Sequence, residues 1–285
     1  MGSSIFAAAC CGGGGSSSSV ITSDNRAKLE VNYSNKAFVY DVSANGEISK
    51  RDSSLEEVQE KIITSFAYAF DNYLQLSTSL STNKTTKRTN SIETSSSDLS
   101  DIVIGGAYEF LPETYYSFWK PRGFLFVNHS IPLGNGRYNS EEISGVDISS
   151  TGLHKTTLGS LFFKILGNFD LRVSGEISKY YPKSFEFKVS KENSYNYSMG
   201  LGYSPRYLSK TRLGASVTSY VDGRFKLGEE SKNQKYTAMT MNASYMVDDT
   251  NSLILSYEDE TLLGDPENTG LGRKISVGYT HFWML

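Results

Sequence analysis

The chain has 285 residues, a formal net charge of −3 and a hydrophobic fraction of 38%. Its longest apolar runs, such as 124–127 and 161–163, are far shorter than the roughly 20 apolar residues that a membrane helix requires. The small net charge and the lack of a basic stripe give no support for nucleic-acid binding.

The first 24 residues form a segment of mostly small residues. Small residues precede Cys10, and Gly12–Gly15 and Ser16–Ser19 follow it. This order is typical of a lipoprotein processing site, in which a lipidated cysteine precedes a flexible tether. We therefore predict that residues 1–24 are flexible and that Cys10, or its neighbour Cys11, is a candidate for a lipid anchor. The alternative is a disordered tail with incidental cysteines, because no Lys or Arg precedes Cys10.

From residue 27 onward, apolar and polar residues alternate. In the segment 194–204, Tyr197 and Leu201 share one face, while Ser198 and Gly202 share the other. A period of two predicts β-strands with one apolar face. Segments of this kind, each near the length of a tilted membrane strand, are predicted at 27–43, 61–70, 73–82, 101–111, 123–132, 155–165, 168–180, 194–204, 210–221, 235–247, 251–259 and 272–285.

The connections between these segments differ in length. Asp, Asn and Gly predict tight turns at 71–72, 167–168 and 248–251, whereas the connection 112–122 is longer than a tight turn. Long loops are predicted at 44–60, 83–100, 133–154, 181–193, 222–234 and 260–271. Outer-membrane barrels have this alternation of short periplasmic turns and long outer loops.

The predicted fold is all-β: an antiparallel transmembrane β-barrel of about 12 strands, formed by residues 25–285 and located in a bacterial outer membrane. The 19 Tyr and 15 Phe residues suit the aromatic girdles of such a barrel. A soluble β-sandwich or soluble lipid-binding barrel has the same alternation of faces, and the connection lengths favour the membrane barrel over it.

The first segment changes phase along its length. Leu29, Val31 and Tyr33 share one face, whereas Phe38 and Tyr40 share the opposite one. This shift predicts a bulge or a break near residues 34–37.

The polar faces of the strands are expected to line the interior of the barrel. The ionisable residues predicted to line the lumen are Glu109, Lys164, Asp170, Arg172, Glu176, Arg212, Glu258 and Lys274. Their mixed signs suit two states. They could form ion pairs that close the interior, or they could line a water-filled pore.

Enzymatic activity is not expected. His129 and Ser130 superficially resemble the pair found in outer-membrane lipases, but neighbouring strand residues point to opposite faces, so His129 cannot activate Ser130. His129, His154 and His281 are scattered along the chain without the spacing of a metal site. We predict no metal and no cofactor.

Several stretches resemble the outer-membrane family named for the meta-pathway of phenol degradation. The stretch Ser65–Leu76 resembles its early hairpin, Ser97–Phe110 its next strand, and Ile131–Gly136 the exit that follows. The resemblance covers roughly residues 60–285. It implies a barrel of about twelve strands with a role in transport, and it implies no catalytic residues.

The predicted function is a passive channel or transporter for small solutes in the outer membrane. Its expected partners are membrane lipids, lipopolysaccharide and small solutes; a homo-oligomer or another outer-membrane protein is a further candidate, and nucleic acid is not. The alternative is a non-conducting structural or partner-binding outer-membrane barrel, with or without a lipid anchor.

Overall fold

The computed structural model describes residues 19–52, 54–71, 73–90, 92–113, 119–136, 138–142, 144–184, 188–227, 229–230 and 233–284. Cys10 and Cys11, the residues predicted to carry a lipid anchor, lie outside these ranges. In the described part of the chain, no helix has both the length and the apolar character needed for a membrane span.

Twelve long β-strands form the wall of the molecule. They are β1 (Ala27–Val42), β2 (Leu55–Ala69), β3 (Leu74–Thr89), β4 (Ile92–Leu111), β5 (Arg122–Pro132), β6 (Lys155–Leu166), β7 (Phe169–Tyr180), β8 (Ser194–Tyr203), β9 (Thr211–Asp222), β10 (Gln234–Met246), β11 (Asn251–Glu267) and β12 (Gly270–Trp283). Each strand pairs antiparallel with the next, and β12 pairs with β1. Because the sheet closes on itself, each wall strand has two hydrogen-bonded neighbours, as a barrel in lipid requires. The predicted fold class is confirmed.

Tight turns define one end of the barrel, which we call the turn side. The Asp71 carboxylate accepts hydrogen bonds from the backbone N–H groups of Tyr73 and Leu74, both at 2.7 Å, and these bonds lower the pKa of Asp71. Between β10 and β11, hydrogen bonds from Asn251 and Thr250 lower the pKa of Asp248 to about 2. In both turns an aspartate side chain replaces a backbone acceptor, which is typical of Asx turns.

At the opposite end, the loop side, two connections are much shorter than predicted. The strand β3 runs to Thr89 and β4 begins at Ile92; β11 runs to Glu267 and β12 begins at Gly270. The predicted long loops 83–100 and 260–271 are therefore wrong. These strands continue where the sequence stops alternating, and Ser and Thr are compatible with strand structure. A strand that extends beyond the lipid meets water on its outer face, so that face no longer needs to be apolar.

Three long connections lie on the loop side as predicted, between β5 and β6, between β7 and β8, and between β9 and β10. Two of them contribute to a small second sheet, whose strands are Lys183–Ser184, Lys188–Lys191, Phe225–Leu227 and Glu229–Glu230. A short strand, Ile48–Lys50, extends the wall beside β1.

The irregularity in β1 lies further along the strand than predicted. The pairing of β1 with β12 and with β2 is continuous across residues 34–37, and the register shift falls between Phe38 and Tyr40. Phe38 and Lys36 line the same internal cavity, and the Lys36 ammonium lies 4.5 Å from the centre of the Phe38 ring. The apolar residues of β1 change face because Phe38 points into the barrel, where its ring contacts Lys36.

The apolar faces of the wall strands point outward. Tyr197, Leu201, Val277 and Trp283 are 57%, 52%, 50% and 42% exposed, whereas a sandwich would pack these side chains between two sheets. The alternation predicted from the sequence therefore has its apolar side on the perimeter and its polar side in the interior, as in membrane barrels.

Candidate functional site

The candidate site is the lumen, which is formed by the inward faces of the wall strands. Cross-strand partners share a face of a sheet, so the strand register decides which residues point inward. Of the eight residues predicted to line the lumen, the structure places seven on the inward faces: Glu109, Asp170, Arg172, Glu176, Arg212, Glu258 and Lys274.

Lys164 was predicted to belong to the same set, but it lies on the outward face. Its cross-strand partner is Leu171, which alternates with the inward-pointing Asp170 and Arg172. The Lys164 ammonium binds Glu113, in the connection that follows β4, at 2.8 Å. The assumption that polar means inward fails in β6 because the inward residues there, Leu161 and Phe163, are apolar and buried.

Near the turn side, a buried ion pair on the inner face of the wall joins β7 and β9 across β8. Arg212 donates through Nε and Nη2 to the two carboxylate oxygens of Asp170, both at 2.6 Å, and each side chain is 6% exposed. Gly202, on the strand between them, makes room for this pair, because a Cβ there would lie 2.1 Å from Arg212 Nη2. The geometry is the bidentate form that binds a carboxylate most strongly.

Further ion pairs compensate other charges of the lumen. Lys274 binds Glu258 at 2.7 Å. Arg122 binds Glu109 through two hydrogen bonds of 2.8 and 2.9 Å. Lys28–Glu30 and Lys36–Glu260 are also paired, at 3.3 and 2.7 Å.

The sequence analysis missed several members of these pairs. Arg122 precedes the predicted segment 123–132 by one residue, yet it has the same phase as the inward Phe124. Extending the alternation by one step would have identified it. Glu260 fell in a predicted loop, where no inward face was assigned.

Residues that precede β1 lie inside the barrel. Val20, Ile21 and Thr22 are 3%, 1% and 4% exposed. The backbone of Ile21 forms two hydrogen bonds of 2.8 Å with the side-chain amide of Gln75 in β3. Arg122 in β5 donates to the carbonyl oxygen of Thr22 at 2.8 Å. These residues belong to the segment 1–24 that was predicted to be flexible; we call residues 19–24 the inner segment.

The wall behind the inner segment is apolar. Val20 packs in one cluster with Ala107, Phe124, Phe126 and Leu161, which are inward residues of β4, β5 and β6. Burial of these side chains against the segment provides a hydrophobic contribution to its docking. The inner segment thus occupies one side of the lumen.

Toward the loop side, the lumen contains a polar cavity that inward residues of β1, β2 and β6–β10 line. Its volume is about 570 Å³, and its lining includes Lys36, Lys155, Glu176, Asn196, Tyr220 and Tyr236. The two tyrosine rings stack with their centres 4.6 Å apart. A second cavity, of about 210 Å³, lies at the turn side against Asp170 and Arg212. Cavities therefore lie both toward the loop side and at the turn side of the barrel.

The histidines have no arrangement typical of catalysis. His129 binds Thr156 at 3.0 Å on the outer face, whereas Ser130 is buried inside and donates to Asp101 at 3.1 Å. The two therefore lie on opposite faces, as predicted. His129 and His154, which are 25 positions apart in the sequence, come together in the fold, with ring nitrogens 3.4 Å apart. Within the described ranges no three His, Cys, Asp or Glu residues form a group suited to a metal ion.

Comparison with known proteins supports the fold. No family model matches the chain, and no curated protein sequence matches it. Among solved structures, an outer-membrane channel from Pseudomonas putida F1 is similar, with a TM-score of 0.75 at 14% identity over 91% of this chain and 96% of that one.

Two similar structures are parts of autotransporters. The translocator domain of NalP from Neisseria meningitidis has a TM-score of 0.52 at 12% identity, covering 93% of this chain and 91% of that one. The β domain of the Bordetella autotransporter BrkA also has a TM-score of 0.52, at 9% identity, covering 91% of this chain and 100% of that one. At these identities the likeness shows the fold, and the fold is that of outer-membrane β-barrels.

Proposed function

We propose that this protein is a passive channel for small solutes in a bacterial outer membrane, and that its inner segment narrows the turn side of the lumen. The observation that carries the proposal is a closed wall with apolar residues outside and a polar cavity of about 570 Å³ inside. A lumen lined with polar groups can hold water, and water provides a path for polar solutes. The resemblance to the phenol-degradation outer-membrane family supports a transport role.

In this proposal, the charged side chains that point into the lumen determine which solutes pass. The pairs Asp170–Arg212 and Glu258–Lys274 hold charge at the lumen wall without a large uncompensated field. Arg172 and Glu176 extend the same polar row along β7. A solute in the lumen thus meets fixed donors and acceptors on the wall, which select among solutes by hydrogen bonding and charge.

The outward-facing apolar side chains of the wall strands contact the lipid tails in this proposal. Lipopolysaccharide is the proposed partner of the loop side. The alternative of a non-conducting barrel is not favoured, because the similar structures include a channel and autotransporter translocator domains. A homo-oligomer, a protein partner and a lipid anchor at Cys10 stay predictions. We propose no enzymatic activity, since these neighbours are membrane channels and translocators.

Conductance of the purified full chain in planar lipid bilayers tests the proposal. We expect discrete conductance steps. A matched pair of variants identifies the path: Asn196→Trp adds bulk inside the cavity and should lower the conductance of each step. Tyr197→Trp adds bulk on the outer face, next in sequence, and should leave it unchanged. Folded protein that inserts but gives no steps would overturn the channel.

A further inference from the structure

Two histidines meet on the outer face of the wall near the loop side. His129, in β5, lies opposite Thr156 of β6, and His154 is the residue that precedes β6. Cross-strand partners share a face of a sheet, and so do residues two positions apart, which makes the two histidines diagonal neighbours on one surface. Their rings stack with centres 5.6 Å apart and an interplanar angle of 26°. We call them the histidine pair.

The distance between the two rings matches the spacing of two ligands on one metal ion. Nε2 of His129 lies 3.4 Å from Nδ1 of His154. Imidazole nitrogens bind Zn²⁺ at about 2.0–2.1 Å in tetrahedral geometry, which places two ligand nitrogens about 3.3–3.4 Å apart. The histidine pair therefore already has the nitrogen separation that a tetrahedral ion requires.

A chain of hydrogen bonds orients the His129 ring. Its Nδ1 lies 3.0 Å from the hydroxyl of Thr156, which in turn lies 3.1 Å from the hydroxyl of Tyr181. When Nδ1–H donates to Thr156, Nε2 carries the lone pair on the side of the ring that faces His154. Histidines that bind metals have their second nitrogen held in this way, which fixes the tautomer and the ring orientation. Thr156 and Tyr181 thus provide an outer shell for an ion bound at Nε2.

The surroundings of the pair decide which ions fit. His154 is exposed and His129 is partly exposed, so an ion reaches both rings from water. In the part of the chain that the structure describes, no third His, Cys, Asp or Glu joins them. Imidazole ligands without carboxylates favour Zn²⁺ or Cu²⁺ over Mg²⁺ and Ca²⁺, which take oxygen ligands. The exposed Lys179, opposite Thr156 on the same face, adds positive charge and weakens the binding of any cation.

We infer that His129 and His154 form an exchangeable binding site for a divalent transition-metal ion of the Zn²⁺ or Cu²⁺ type on the loop side of the barrel. Two neutral imidazoles supply the protein ligands, and water completes the coordination. Because His154 ends the connection between β5 and β6, a bound ion links the end of this connection to β5. The inference is independent of the proposed channel function, since the site lies on the outer face.

Titration with Zn²⁺ tests the site. The full chain, with Cys10 and Cys11 replaced by Ser to remove competing thiols and without a histidine tag, is titrated by calorimetry in detergent micelles near neutral pH. This parent chain should bind one Zn²⁺ and no Mg²⁺. Thr156→Val keeps both ligands but removes the outer-shell hydroxyl, and it should lower the Zn²⁺ affinity by about tenfold. His154→Asn removes a ligand and should lower the affinity further.

The third histidine provides the matched control. His281 lies at the turn side, where its Nδ1 is 2.9 Å from Asn251 Oδ1, so His281→Asn should keep the Zn²⁺ affinity of the parent chain. Electron paramagnetic resonance of bound Cu²⁺ gives a second readout, with couplings to two imidazoles in the parent and to one in His154→Asn. Since His154 is exposed, its replacement should leave the fold intact. A folded parent chain that binds no Zn²⁺, or His154→Asn with the parent affinity, overturns the site.

Discussion

The two halves of the lumen have opposite chemistry although they belong to one closed sheet. In β4–β6 the inward residues include Ala107, Phe124, Phe126 and Leu161, and they contact the inner segment. In β7–β12 the inward residues are largely polar, and those of β7–β10 line cavities that Lys36 of β1 and Lys155 of β6 also line. The difference indicates that the inside of this barrel is apolar where it meets protein and polar where it meets water.

The largest expected effect comes from breaking the apolar half. Val20→Asp places a carboxylate against Phe124 and Leu161. An unpaired charge in an apolar contact costs at least about 3 kcal/mol, roughly a hundredfold in the equilibrium between docked and released inner segment. The segment should leave the wall, and single-channel conductance should rise.

The control variant adds the same negative charge to the inner segment, but at a position outside the apolar contact. Ser23 belongs to the same inner segment but is only partly buried, so Ser23→Asp should have wild-type conductance. If Val20→Asp also conducts like the wild type while it is folded, the inner segment does not restrict the path.

The next effect is on stability, and it is expected from breaking the polar half. Arg212→Ala leaves the Asp170 carboxylate buried without its bidentate partner. Loss of one member of a buried ion pair typically lowers the free energy of unfolding by about 3–5 kcal/mol. Urea unfolding in detergent micelles, followed by tryptophan fluorescence, measures the change.

The matching exposed pair is Lys84–Glu60, on the outer surface, with side chains 49% and 31% exposed. Lys84→Ala should change the free energy of unfolding by about 1 kcal/mol or less, as surface ion pairs do. Equal losses for Arg212→Ala and Lys84→Ala would mean that the lumen wall is as well solvated as the outer surface.

The smallest expected effect on stability comes from a change in one of the tight turns on the turn side. The pKa of Asp248 is lowered from 3.8 to about 2, first by Asn251 and then by Thr250. A lowered pKa means that the ionised form stabilises the fold above pH 3.8, and that this contribution is lost as the pH falls toward about 2. Asp248→Ala should be slightly less stable than the wild type at neutral pH, and the difference should vanish near pH 2. A difference that persists at that pH would assign the effect to packing.

The strand order followed from the sequence because a period of two is a local property. Each segment such as 194–204 contains its own evidence of an outer and an inner face, and tight turns at Asp71 and Asp248 join neighbours into antiparallel pairs. The extent of β3, β4 and β11 did not follow, because a strand beyond the lipid has polar residues on both faces and resembles a loop in sequence.

The lumen was only partly predictable for a different reason. Asp170 and Arg212 were identified because their strands alternate fully. Lys164 was misplaced, and the inner segment was not foreseen, because the contact between Val20 and Phe124 joins residues about a hundred positions apart in the sequence. No local pattern indicates which inward faces meet another part of the chain.

The most direct test of the account asks which face of a strand meets water. In a chain with Cys10 and Cys11 replaced by Ser, spin labels are placed by Asn196→Cys and Met199→Cys and reconstituted in lipid. The account predicts that the label at 196 is relaxed mainly by a water-soluble nickel complex and the label at 199, whose native side chain is 59% exposed on the outer face, mainly by oxygen dissolved in lipid. The reverse pattern, or two labels that behave alike, would contradict the assignment of a polar lumen and a lipid-facing exterior.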